Sequence, residues 1–399
     1  MAIMRKIARW TGWALLALAV LLAVFAAFNW RLTSNLIAVA GVGNTELAQF
    51  SPAEAVKGCP ADNLPTGDGL LDPKAFAAMR DYSDQHGGIG LVVLIDGKLA
   101  GEAFGKGYDA ATRSLSQSMH KGVLALAIGM AIEDGIIASP DAPVGNYLKE
   151  WADDPRGKIT FRQLLSMQSG LHNPAISKFK LAAFNIYLGD VSEAALEDEA
   201  DEAPGRFNYS NINYQIAGTA LSRALKAAGK GNYAGYLSQK LWCPLGNRDA
   251  QLWLEHEGGE PRYFAFLDAT TRDWARVGEL IRQRGSFQGQ QLVAPAWIDT
   301  MVTPSASNPN FGMGIWRGTP WQEERRYSRE VSLTAHHSAP YKADDVVFLD
   351  GSGGQRVYVV PSAGLVIART GETSFEWDDA ILVNLALDGL AAPTEEPKS

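Results

Sequence analysis

The distribution of apolar residues divides the chain into an N-terminal span, a strand-rich beginning and end, and a helical middle. An uncharged run covers residues 10–30, and about 20 such residues are enough to cross a bilayer. Further on, residues 89–95 form a continuous apolar run that predicts a buried strand. Asp96-Gly97 is a hairpin turn signal, so residues 99–104 are predicted to return as its partner strand.

The remaining elements follow from the same patterns. Helices are predicted at residues 73–85, 117–136, 160–167, 214–228, 233–241, 271–284 and 380–390, and strands at 346–349, 355–360 and 364–370. Strands at both ends with helices between them predict an α+β fold. One antiparallel sheet would combine the N- and C-terminal parts, flanked by helices, with a mostly helical lobe inserted. The cleft between sheet and lobe is then the expected site.

The predicted domain organisation has four parts. Residues 1–34 would form a transmembrane anchor or signal peptide, 35–69 a linker, 70–390 the folded domain, and 391–399 a disordered tail. Residues 193–202 are strongly acidic and are predicted to form a solvated face.

The charges before the apolar run indicate its orientation. Arg5, Lys6 and Arg9 precede the run and should stay cytoplasmic, which places the rest of the chain on the periplasmic, extracytoplasmic side. The alternative is a cleaved signal peptide, with residues 24–26 as a small-residue cleavage site. An uncleaved anchor is favoured because the unbroken stretch 14–28 is at the long limit for a signal peptide. Both interpretations predict export.

Composition argues against nucleic-acid, metal and cofactor binding and leaves the state of the two cysteines open. The net charge is −8 and the pI about 5.4, and without a basic stripe no nucleic-acid partner is expected. Cys59 and Cys243 could form one disulfide in an oxidising compartment or be two unrelated thiols. His336-His337 has no partner at metal-ligand spacing, so neither a metal nor a cofactor is predicted. The oligomeric state is not encoded in any pattern.

The strongest chemical signal is Ser118-Met119-His120-Lys121, at the start of an apolar helical run. Positions i and i+3 share one face of a helix. A lysine kept neutral by burial could accept the proton of the serine hydroxyl, which would make Ser118 a nucleophile. Ser177 and Lys180 have the same spacing, but no comparable context.

Two later segments could complete such a site. Tyr209-Ser210-Asn211 follows a turn signal and could project into the cleft, where an adjacent ammonium would push the phenol toward its ionised form. Gly351-Ser352-Gly353 stands at the entrance to a strand, where glycines allow a substrate to approach the backbone. A backbone N–H there, together with that of Ser118, would form an oxyanion hole.

The order of these three segments resembles the serine β-lactamase and penicillin-binding-protein superfamily. Within it, the chain is most similar to the class C branch, and nearest to family-VIII-type esterases and 6-aminohexanoate-dimer hydrolases. Residues 164–171 are similar to a family segment, with Met167 in place of the usual histidine, and the likeness extends over roughly residues 70–390. Further similar segments are residues 244–246, 271–276 and 311–314.

The resemblance implies a role for each candidate residue. Ser118 would be acylated, Lys121 would be part of the general base, and Tyr209 would relay the proton to the leaving group. Asn211 would contact Lys121 or the substrate, and the backbone around Ser352 and Gly353 would complete the oxyanion hole.

One departure from the family pattern narrows the range of expected substrates. β-Lactamases and D,D-peptidases carry a cation in the third motif, which binds the substrate carboxylate, whereas residues 351–355 have none. Arg356 is close in sequence and could still serve as that cation.

The leading hypothesis is therefore an exported serine hydrolase, an esterase or amidase acting on a small ester, amide or peptide-like substrate. The alternatives are a D,D-peptidase or β-lactamase, and a catalytically inert envelope binding protein. Residues 177–190 and 316–341 are candidate lid segments.

Overall fold

The computed structural model describes residues 2–28, 30, 43–48, 50, 52–62, 64–171, 190–200, 202–328 and 334–390. Its helices are α1 (Ala2–Phe28), α2 (Asn44–Leu47), α3 (Pro73–Gln85), α4 (His120–Glu133), α5 (Phe161–Leu165), α6 (Val191–Glu197), α7 (Asn211–Ala227), α8 (Tyr233–Leu237), α9 (Thr271–Arg282), α10 (Pro295–Val302) and α11 (Asp379–Asp388).

The described strands form a central sheet of six strands and three smaller sheets. They are β1 (Ala53–Val56), β2 (Gly88–Ile95), β3 (Lys98–Phe104), β4 (Arg113–Ser114), β5 (Ala250–Trp253), β6 (Leu267–Thr270), β7 (Ser286–Phe287), β8 (Gln290–Gln291), β9 (Trp316–Arg317), β10 (Glu324–Arg326), β11 (Thr334–His336), β12 (Val347–Gly351), β13 (Gln355–Val360) and β14 (Leu365–Gly371).

The central sheet confirms the predicted α+β architecture. Its order is β3-β2-β14-β13-β12-β9, and every neighbouring pair is antiparallel. The N-terminal hairpin joins the C-terminal strands through β2 and β14, from Leu365 opposite Ile95 to Thr370 opposite Gly90. In β2 every residue after Gly88 is buried, which is why its sequence is continuously apolar rather than alternating. Helix α9 packs on β2, β13 and β14.

Helix α4 crosses the centre of the molecule. Every residue from His120 to Ala131 is buried, as expected for a helix that is apolar on all sides. At Gly129 a Cβ would lie 2.1 Å from the Trp297 ring nitrogen, so glycine allows that indole to approach and donate to the Ala125 carbonyl at 3.0 Å. The helix ends shortly before Gly135, whose φ of +71° favours glycine.

The predicted linker is wrong for residues 53–59, which belong to the folded domain. Strand β1 pairs with β5 in a second sheet of order β1-β5-β6-β4. Just beyond it, Cys59 and Cys243 form a disulfide with their Cα atoms 4.6 Å apart. The linker prediction failed because β1 is only four residues long and its partner lies almost 200 residues later in the chain.

The N-terminal helix is distinct from the rest of the molecule. Residues Trp10–Phe28 have a mean hydropathy of 2.3, and none of this stretch is buried. By length and composition this helix could cross a membrane. The Ser177-Lys180 pair, the first candidate lid (apart from Asp190) and the predicted tail lie outside the described residues.

Candidate active site

Ser118 lies in a single 3-10 turn, Gln117–Met119, that leads into α4. Lys121 follows one turn later, and its Nζ lies 2.8 Å from Ser118 Oγ. The same nitrogen contacts Asn211 Oδ1 at 2.9 Å and the Phe264 carbonyl oxygen at 2.7 Å. These contacts come from three separate parts of the chain, and together they fix the amine against the serine hydroxyl.

The environment of Lys121 favours its neutral form. Its side chain is only 2% exposed, because it is carried by the buried helix α4. Loss of hydration lowers the pKa of Lys121 to about 7, although the carboxylate of Asp350 acts in the opposite direction. A substantial fraction of the amine is therefore unprotonated at neutral pH and able to accept a proton.

Tyr209 reaches Ser118 from the turn that precedes α7. Its phenol shares a side-chain hydrogen bond with Ser118, and its ring centroid is 5.1 Å from Lys121 Nζ. Burial and the nearby Asp350 carboxylate raise the pKa of Tyr209 above its usual value. The expectation that an ammonium would push this phenol toward its ionised form is thus wrong, because burial and Asp350 outweigh the opposing effects of the Ser118 hydrogen bond and the Arg325 cation. The raised pKa keeps the Tyr209 phenol protonated.

The third predicted segment closes the opposite side of the site. At Gly351 a Cβ would lie 2.4 Å from the Ser116 carbonyl oxygen, so glycine is needed for the end of β12 to pack beside the turn that carries Ser118. Gly353 and Gly354 follow with φ values of +76° and +87°, and Ser352 is exposed. The strand entrance therefore faces Ser118 closely.

The predicted residues meet at one cavity of about 280 Å³. Ser118, Tyr209, Asn211, Ser352 and Gly353 all line it, and Lys121 is buried behind Ser118. The wall also contains Asp350, Phe375 and Trp377, which sequence patterns did not single out, and Tyr327 from the second candidate lid.

A buried network of four charges underlies this wall. Arg325 lies 2.7 Å from Asp350 and 2.8 Å from Asp379. Arg356 lies 2.7 Å from each of the same two carboxylates. The two cations hold the pKa of Asp379 below its usual range despite burial. Arg356, proposed from sequence as a substitute cation, therefore already has its charge balanced by two protein carboxylates.

Aromatic side chains connect this network to Tyr209. The Arg325 guanidinium lies 4.1 Å from the Trp316 ring centroid, and Trp316 stacks on Tyr209 at 5.7 Å. The Tyr327 hydroxyl donates to Asp350 at 2.7 Å, and its ring meets Tyr209 at 5.5 Å. Part of the second candidate lid, residues 316–341, is thus a fixed wall that orients Tyr209.

Met167 supports the Tyr209 turn from the other side. It adopts a left-handed conformation with φ of +58°. Its sulfur accepts hydrogen bonds from the Ser210 amide at 3.4 Å and the Asn213 side chain at 3.5 Å. The residue that departs from the family pattern therefore still contacts the segment that carries Tyr209 and Asn211.

His120 supports the site, although sequence patterns did not indicate this. One ring nitrogen contacts the Ala265 carbonyl oxygen at 2.9 Å and the other the Tyr233 hydroxyl at 3.0 Å. Burial lowers the pKa of His120 to about 4, so the ring is neutral. It fixes the backbone next to Phe264, whose carbonyl contacts Lys121. A sequence pattern cannot reveal this, because both partners of His120 lie more than 100 residues away.

The fold and this constellation define a serine hydrolase of the β-lactamase type, and comparisons with known proteins agree. The family model described as Beta-lactamase matches residues 74–384, so the chain belongs to the beta-lactamase family. It is 23% identical to the 6-aminohexanoate-dimer hydrolase of Paenarthrobacter ureafaciens over 296 residues, covering 70% of this chain and 71% of that protein.

Solved structures show the same fold. A provisionally assigned 6-aminohexanoate-dimer hydrolase from Bacillus anthracis superimposes with a TM-score of 0.67 at 21% identity, covering 86% of this chain and 92% of that one. A family VIII carboxylesterase superimposes with a TM-score of 0.57 at 17% identity, covering 80% and 98%.

The charge network yields a prediction about stability. Asp379→Asn should lower the free energy of unfolding by roughly 3–5 kcal/mol, because it leaves buried arginine charge without its partner. Asp388→Asn is the matched control, since Asp388 pairs with Lys342 at the surface and its side chain is 56% exposed. Denaturant unfolding of the two variants measures the difference. Equal stability of both would show that the buried network is not strongly coupled to folding.

Proposed function

We propose that this protein cleaves an ester or simple amide bond through an acyl-enzyme on Ser118. Lys121 Nζ takes the hydroxyl proton as Ser118 Oγ attacks the scissile carbonyl. Tyr209 donates its proton to the leaving group and recovers one from the Lys121 ammonium. Water then releases the acyl group by the reverse proton transfers. The observation that carries the proposal is the contact of 2.8 Å between a desolvated amine and Ser118 Oγ.

The remaining candidate residues have supporting roles. Asn211 positions Lys121 through its side-chain oxygen. The backbone at Ser352 and Gly353, with the Ser118 amide, stabilises the oxyanion. The cavity's only described charged residues, Asp350 and Arg356, are paired with protein groups. A neutral substrate therefore suits the wall better than a carboxylate, and similar proteins named as a 6-aminohexanoate-dimer hydrolase and a family VIII carboxylesterase support this choice.

We also propose that α1 anchors the protein and that the catalytic domain is exported. Basic residues precede the apolar stretch, which favours a cytoplasmic N-terminus. The Cys59–Cys243 disulfide supports an oxidising compartment for the domain.

Replacement of the nucleophile gives the most direct test. Ser118→Ala should reduce hydrolysis of p-nitrophenyl butyrate by at least about 10³-fold and abolish covalent labelling by a fluorophosphonate probe. Ser177→Ala, which alters the other Ser-x-x-Lys pair, should retain both properties. Wild-type turnover by Ser118→Ala would refute the assignment, and inertness of the native protein toward every acyl probe would favour a binding protein.

The pKa of Lys121 predicts the pH dependence. The neutral amine is the active form, so kcat/KM for an ester should fall about tenfold per pH unit below about 7 and reach a plateau above it. Asn211→Asp places a carboxylate next to Nζ and should raise the pKa of Lys121 by about 1–3. The acidic limb of the profile should move to higher pH by the same amount. An unchanged limb in this variant would exclude Lys121 as the titrating base.

A β-lactamase or D,D-peptidase activity is the second candidate, favoured by the family match and by the presence of Arg356 in the cavity wall. Because Arg356 is engaged by Asp350 and Asp379, we expect kcat/KM for nitrocefin to be at least about 100-fold below that for p-nitrophenyl butyrate. The ratio of the two rates measures this directly. A preference for nitrocefin would instead assign the protein to penicillin-type substrates.

A further inference from the structure

We infer that the substrate is an acyl ester of a membrane lipid, taken from the bilayer that holds α1. This inference rests on the proposed hydrolase function and on the proposed anchor, and it adds the source and chemical class of the substrate. It is carried by where the chain enters the domain after α1.

The first described residues after α1 and Trp30 are bound to two segments that lead to the active site. Asn44 is 3% exposed; its amide nitrogen donates to the Glu372 carboxylate at 2.8 Å, and its side chain donates to the Gly371 carbonyl at 2.7 Å. Its own carbonyl accepts from the Leu115 amide at 3.2 Å. Asn44 therefore connects the segment that precedes Ser118 with the segment that follows β14.

The segment after β14 forms one wall of the cavity. The Ser374 amide donates to the Gly353 carbonyl at 3.1 Å, and Ser374, Phe375 and Trp377 line the cavity. Asn44, which follows the proposed anchor in the chain, is thus bonded to Glu372, and Glu372 is two residues before the cavity-lining Ser374. Even fully extended, the chain from Trp30 to Asn44 spans at most roughly 50 Å.

Two exposed aromatic side chains belong to, or are bonded to, segments that line the cavity. Among the described residues beyond Trp30, the large hydrophobic side chains that are exposed are Phe375, at 75%, and Trp321, at 43%. The Trp321 indole donates to the His337 carbonyl at 3.1 Å, and the neighbouring His336 pairs with Asp378. Phe375 therefore lines the cavity, and Trp321 is bonded to the segment that contributes Ala335 to the cavity wall. Aromatic residues are enriched where proteins meet the membrane–water interface.

The cavity suits an acyl chain. Its wall offers the rings of Phe375, Trp377 and Tyr327 together with Ala335, while its described charged residues are neutralised by the network of arginines and aspartates. An uncharged acyl group would enter without leaving a buried protein charge unpaired. A polar head group could stay outside, next to the exposed rim.

The test uses the full-length protein inserted into phosphatidylcholine vesicles. A fluorogenic long-chain acyl ester lipid is supplied either in the same vesicles or in separate vesicles, and p-nitrophenyl butyrate is assayed in parallel. We expect turnover of the lipid in the same vesicles to exceed that in separate vesicles at least tenfold. Phe375→Ser should lower the ratio of lipid to soluble ester turnover at least fivefold, whereas Phe375→Leu, which keeps an apolar side chain, should largely preserve it.

The outcomes separate this inference from the proposed function. Ser118-dependent hydrolysis of p-nitrophenyl butyrate without any advantage for lipid in the same vesicle would overturn the lipid substrate and leave the hydrolase intact. An unchanged ratio in Phe375→Ser would likewise overturn the role of the rim. Absence of turnover of both esters by the native protein would refute the hydrolase itself.

Discussion

The desolvation of one amine is the constraint on which the site depends. Lys121 has a pKa near 7 only because helix α4 is apolar on all sides and is enclosed by the rest of the domain. The same enclosure requires acceptors for the amine, which Asn211 and the Phe264 carbonyl supply. The proposed chemistry therefore depends on the core packing. Looser packing of α4 would expose the Lys121 amine to water and raise its pKa.

The Asp350 carboxylate moderates this arrangement. It opposes the effect of burial on Lys121 and adds to that effect on Tyr209. The pKa values of the two groups are thereby moved in opposite directions, as the proposed roles of Lys121 as proton acceptor and Tyr209 as proton donor require. Asp350 can exert both effects while buried because Arg325 and Arg356 balance its charge. Arg356, the cation considered as a substitute for the one in the third motif, is therefore already paired with a protein carboxylate.

Sequence patterns predicted the central sheet and brought Ser118, Tyr209, Asn211, Ser352 and Gly353 to one cavity. The prediction of the sheet was confirmed because hydrophobic periodicity is a local signal, whereas the roles predicted for the five residues stay predictions. The charge network escaped notice because Arg325, Asp350 and Asp379 share no spacing. The role of residues 53–59 was missed because a four-residue strand is recognisable only from its partner. The direction of the Tyr209 pKa depended on burial, which a motif does not reveal.

The pairing of β2 with β14 has a consequence for synthesis of the chain. Strand β2 is made long before its partner β14, because most of the folded domain lies between them in the chain. Until β14 arrives, one side of this apolar strand has unpaired backbone groups, and such exposed edges promote aggregation. Non-local pairing of this kind also slows folding. Maturation of the chain should therefore depend on factors that shield apolar segments until β14 has been made.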